Sequence, residues 1–104
     1  MRTIELDASN WRSFPDFYEA LLAGLGAPDW HGRNLDALID SMVYGGINTI
    51  ERPFRIQVIG VATAGKDAVD ELRNAIVALV EEGAECVISG DCASIEIGPA
   101  GKAD

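Results

Sequence analysis

Asp36 and Asp40 stand four residues apart in the stretch DWHGRNLDALIDSM, residues 29–42. On a helix they are surface neighbours, and like charges at that spacing oppose helix formation by about 0.2–0.5 kcal/mol. Asp36 recovers part of this from the positive end of the helix, while Asp40, a turn further on, recovers less. A cationic partner removes the conflict. Paired carboxylates also serve as general acid and base, but nothing nearby in sequence supplies oxyanion donors or a metal set. The chemistry indicated is recognition of a cation, not catalysis, although the helix pattern alone also fits a plain solvated surface.

The flanking residues give this stretch its shape. Asn34 is a good N-cap, because its side-chain oxygen can accept from a free N–H of the first turn. Leu35, Leu38, Ile39 and Met42 fall at i, i+3, i+4 and i+7, one apolar stripe. Residues 26–32 form a lead-in loop with three backbone-shaping residues, Gly26, Pro28 and Gly32. A loop fixed in advance loses less entropy when a partner binds.

The run Pro28-Asp29-Trp30-His31-Gly32-Arg33-Asn34-Leu35-Asp36-Ala37-Leu38-Ile39-Asp40 resembles the barstar family of intracellular inhibitors of a secreted bacterial ribonuclease. The family pattern there is proline, acid, two aromatics, glycine, any residue, Asn-Leu-Asp-Ala-Leu, any residue, Asp. A weaker likeness extends through the first strand and helix and reaches Glu82-Gly83-Ala84, touching most of residues 1–89. The resemblance implies a small three-stranded parallel sheet surrounded by helices. It also implies that the acidic helix and its lead-in loop plug the active site of a basic ribonuclease, and that the chain is no enzyme and needs no cofactor. A carboxylate can take the place of an RNA phosphate because it accepts two parallel hydrogen bonds from a guanidinium. Carried over by motif, Asp40 is the phosphate mimic and Asp36 meets a neighbouring basic residue. Trp30 and His31 hold the two ring positions packed on the enzyme's rim, and Asn34 and the backbone at Gly32 contribute hydrogen bonds.

The chain also departs from the family pattern. His31 replaces a tyrosine, Ile39 a tryptophan and Val43 a threonine. The loop after the helix lacks a tryptophan and is longer, and Ala78 stands where the last helix contributes a glutamate. These changes point to a cognate basic nuclease or toxin as the target, not the prototype enzyme. They leave open a second class, an acidic interaction module docking a basic protein that is no nuclease.

Other motifs carry less. Gly60 to Lys66 matches the GxxxxGK spacing of a phosphate loop after a strand. Asp67 follows, however, where a Ser or Thr must hold magnesium. Cys86 and Cys92 make no disulfide framework, and with the single His31 they make no zinc pattern.

At 104 residues the chain suits one domain with a real core. Its apolar fraction of 48% excludes a disordered chain. The net charge of −9 disfavours nucleic acid and anionic membrane and steers basic partners inward. No apolar run is long enough for a signal peptide or a membrane span, so a soluble, cytoplasmic protein is expected.

The remaining elements follow from periodicity. Residues 2–6 alternate as a first strand. A helix is predicted over 14–23, capped by Ser13, with Phe14, Phe17, Tyr18, Leu21 and Leu22 buried and Gly24 and Gly26 ending it. Trp11 is left open between core and cover. A short helical turn is expected around 48–51, then a central strand over 54–61 and a helix over 67–82 burying Val69, Leu72, Ile76, Leu79 and Val80. A hairpin of 85–89 and 93–97 completes an α/β domain over 1–98, with 99–104 a flexible tail. Its second strand is read as an added edge strand, a surface for homodimers.

Overall fold

The computed structural model describes residues 1–99, so the tail expected over 99–104 lies, from residue 100 onward, outside the described residues. Strand β1 (Arg2–Asp7) leads to helix α1 (Phe14–Leu25), then to the short helix α2 (Leu35–Ile39), which continues into a π-helical turn (Asp40–Tyr44). Strand β2 (Phe54–Ile59) is followed by a 3-10 turn (Val61–Thr63), helix α3 (Lys66–Glu81), and strands β3 (Glu85–Ser89) and β4 (Cys92–Ile97).

The four strands form one sheet in the order β1-β2-β4-β3. β1 and β2 are parallel, with Arg2 opposite Phe54 and Asp7 opposite Ile59, and β4 is antiparallel to both β2 and β3. The α/β class and the additional C-terminal strand are as the sequence indicates, and β1, β2 and β3 do run in one direction. The added strand, however, is not at an edge but is inserted between β2 and β3. Burial explains the choice: Ala93, Ile95 and Ile97 are each at most 2% exposed, whereas no residue of β3 is buried. The more apolar strand takes the interior place. The Cys92–Ile97 strand therefore offers no free edge through which two copies could associate, because its backbone is already paired on both sides.

Helix α1 starts where Ser13 predicts. The Asp16 carboxylate accepts from the backbone N–H of Arg12 at 2.7 Å and of Ser13 at 3.2 Å. These bonds hold the Asp16 pKa below the usual carboxylate range, so the support they give is lost as pH falls through that lowered value. The helix does not stop at Gly24. It runs to Leu25 and ends on Gly26, whose φ of 67° is the left-handed cap. Gly24 instead permits close packing, since a Cβ there would lie 2.9 Å from Ile4 Cγ2. Phe14 is exposed, while Trp11 is buried, edge-on to Phe17 with centroids 5.7 Å apart. Tyr18, fully buried, donates its hydroxyl to Glu71 and so ties α1 to α3.

Helix α3 meets the core with Ala68, Leu72, Ala75 and Leu79, while Val80 faces solvent. Two alanines in that row let the helix lie close to its neighbours, which apolar periodicity alone misses because the valines look more hydrophobic. The expected turn over 48–51 is not helical. The N–H groups of Thr49 and Ile50 donate instead to Gly26 and Leu25 carbonyls at 3.1 and 2.9 Å, closing the C-terminus of α1. β2 ends at Ile59, and Val61 begins the 3-10 turn.

Gly65 caps α3 and donates to the Trp11 carbonyl at 2.8 Å. A Cβ there would meet the Arg12 carbonyl oxygen at 2.4 Å, with Arg12 C and Cα at 2.9 Å. All three are backbone atoms, so relief requires moving a chain segment. We expect Gly65→Ala to destabilise by about 1–3 kcal/mol in denaturant unfolding.

Candidate partner-binding site

The acidic segment is built from the Asn34 cap outward. Asn34 is extended, with φ −155° and ψ 168°, and its Oδ1 accepts from Ala37 N at 2.8 Å. Gly32 presses on the same turn: a Cβ there would lie 3.0 Å from Asn34 Nδ2 and 3.2 Å from Ala37 Cβ. The cap therefore fixes both the helix start and the path of the lead-in loop. Asn34→Ala should cost about 1 kcal/mol of unfolding free energy, measured by thermal or denaturant melting against wild type.

After Ile39 the ladder changes. Gly45 N donates to the Asp40 carbonyl at 3.0 Å, the i to i+5 bond of a π-turn, a feature that recurs at functional sites. Three consecutive residues, Ser41, Met42 and Val43, are buried there, so the turn is gripped from more than one side. Leu38 and Met42 lie inside as the stripe predicts, with Leu35 and Ile39 half-buried. Arg52 secures the far end, donating to the Val43 and Gly98 carbonyls at 2.8 Å each.

Asp36 and Asp40 are both exposed. The ion pairs among the described residues, Arg33–Glu19, Arg55–Glu96 and Lys66–Asp70, involve neither of them. Trp30, 74% exposed, stands beside Asp40: the two line a hollow of about 100 Å³ together with His31, Gly32, Ala37 and Ile47. Asn34 and Asp36 lie outside that lining. The structure thus gathers Trp30, His31, Gly32 and Asp40 around one depression, with Asp36 one helical turn away.

His31 is placed differently from its expected role as a rim-packing ring. It is only 6% exposed, with Nδ1 2.7 Å from the Gly32 carbonyl oxygen and Nε2 2.7 Å from Ser41 Oγ. Shorter and polar, it turns inward to satisfy both nitrogens where a partner-facing ring was expected.

Two residues with no role assigned from sequence join the site. Tyr44, 72% exposed, donates its hydroxyl to Glu82 at 3.1 Å. That bond and the Glu82 charge, with a smaller contribution from Asp40, push the Tyr44 phenol pKa up. Its position four after Asp40 was the available signal. Ser41 had none, because its role depends on a residue ten positions earlier.

The phosphate-loop likeness dissolves in the structure. Asp91 accepts from Gly60 N at 3.3 Å and from Ala62 N at 2.8 Å, so a carboxylate of the chain already holds the N–H groups an anion would use. Lys66 pairs with Asp70 at 2.7 Å. No helix among the described residues is long and apolar enough to cross a membrane.

Neither a curated protein nor a solved structure matches the chain. The sequence model of one family, described as Barstar (barnase inhibitor), matches residues 1–92. That span holds the acidic helix, its lead-in loop and every residue lining the hollow, and the chain belongs to the Barstar family.

Proposed function

We propose that this chain inhibits a basic ribonuclease or related nuclease toxin inside the cell, inserting α2 and its lead-in loop into the enzyme's active site. Asp40 takes the position of an RNA phosphate and Asp36 meets an adjacent cation. Trp30 packs on the rim of the cleft, with Gly32 and Asn34 shaping the approach and Tyr44 extending the contact. His31 acts from within.

The observation that carries this reading is a pair of exposed carboxylates, in no ion pair among the described residues, beside an exposed tryptophan, on a chain whose family is described as barnase inhibitors. Aromatic anchors beside charges suit the centre of an interface. Each carboxylate repels the other until a cation arrives, so the free protein holds this face ready for a basic surface. The net charge of −9 adds long-range attraction.

The test is an inhibition titration against small basic ribonucleases, including those encoded by the same organism. Stoichiometric inhibition whose association rate falls as salt is raised supports the reading. Tight binding of a basic partner without loss of any nuclease activity replaces it with the docking-module reading.

A further inference from the structure

His31 is the buried titratable group at the site that the proposed contact leaves without a direct role. His31 lines two hollows. One is the hollow beside Asp40; the other is a groove of about 400 Å³ whose charged lining is Glu19, Asp29 and Arg33. Nδ1 faces the Gly32 carbonyl oxygen at 2.7 Å. A carbonyl oxygen only accepts, so Nδ1 carries a proton. Nε2 faces Ser41 Oγ at 2.7 Å, and a hydroxyl both donates and accepts.

Ser41 Oγ also lies 3.3 Å from the Leu38 carbonyl oxygen. With a neutral ring, Ser41 donates to Nε2. With a charged ring, Nε2–H donates to Ser41 and the hydroxyl hydrogen turns to Leu38. The bridge is satisfied in both states.

The two ends of this bridge fall where the binding geometry is set. Gly32 is two residues after Trp30, and Ser41 directly follows Asp40. We propose that His31 is a positioning residue, which clamps Gly32 to Ser41 as the Nδ1–H tautomer and thereby fixes Trp30 and Asp40 around the hollow. The clamp is a property of the free protein. Its consequence for affinity rests on the inhibitor reading.

Long-range proton–nitrogen spectra of the free protein at neutral pH report which ring nitrogen is protonated. A proton on Nδ1 is expected; a ring protonated at Nε2 alone, or averaging between tautomers, overturns the clamp. Ser41→Ala and His31→Phe each remove the bridge while roughly keeping volume, and Ser41→Ala retains the ring if the other variant fails to fold. Amide exchange over residues 30–32 should quicken by about tenfold with β2 and α3 unchanged. Unchanged exchange over 30–32 in the folded variants overturns the proposal.

Barnase serves as the probe enzyme for affinity. If wild type binds it, the folded variants should dissociate about tenfold faster, because the site must be ordered on binding; equal rates overturn the positioning role. If wild type does not bind barnase, inhibition of that enzyme fails, and the tautomer and exchange measurements still decide the clamp.

Discussion

Asp40→Ala is expected to weaken binding of the target ribonuclease severely while leaving the free protein at least as stable as wild type. The two effects have opposite signs because one carboxylate plays opposite parts in the two states. In the free protein Asp40 is exposed and four residues from Asp36, so removing it relieves about 0.2–0.5 kcal/mol of helix repulsion. In the proposed complex it would face desolvated cations that are left unpaired once it is gone. Truncating one side of a buried, hydrogen-bonded charge pair costs about 2–5 kcal/mol, a general range whose known cases already include this family's prototype complex. At 1.4 kcal/mol per decade, that is a loss of about thirtyfold to several thousandfold. The check is a paired measurement of dissociation constant and melting temperature on Asp40→Ala and Asp40→Asn. A loss of affinity that merely tracks a loss of stability would count against the phosphate-mimic role.

Leu38→Ala is the second large expectation. Leu38 is 1% exposed and is the one fully buried residue of the five-residue helix α2. A helix that short has no stability of its own and exists because its apolar face is packed. Removing the side chain should cost about 2–5 kcal/mol and lower the melting temperature by roughly 4–8 °C for each kcal/mol. Leu72→Ala on α3, where Leu72 is fully buried, is the comparison. Both variants should melt early. Under conditions where both are folded, Leu38→Ala should lose more affinity than Leu72→Ala, because it removes the acidic helix's own core anchor. Equal affinities would mean that α2 is held by its Asn34 cap and the π-turn without its core anchor.

Much of this was legible because it rests on local chemistry. Asn34 caps α2 since the geometry of capping spans three residues. Ser13 and Asp16 begin α1 for the same reason. The hairpin turn at Gly90-Asp91 is short enough for its residue types to specify it, with Gly90 at φ 59°. Asp36 and Asp40 share an exposed face because four residues is close to one helical turn. In each case cause and effect lie within one element.

The misread features depend on what lies across the fold. Gly24 looked like a helix terminator but is a glycine facing Ile4 of β1. Phe14 and Val80 looked like core, yet Trp11, Ala68 and Ala75 fill those places because fit between helices and sheet outweighs side-chain hydrophobicity.

The sequence by itself determined the elements, the helix cap and the charged face of this protein, since propensity, periodicity and capping act between near neighbours. Tertiary structure decided the rest. It inserted β4 between β2 and β3, where its backbone is paired on both sides and its Ala93, Ile95 and Ile97 row is buried. It turned His31 inward because a hydroxyl ten residues away and a neighbouring carbonyl satisfy its two nitrogens. It filled the phosphate-loop likeness with Asp91, which reaches those N–H groups only once the hairpin has folded back beside β2.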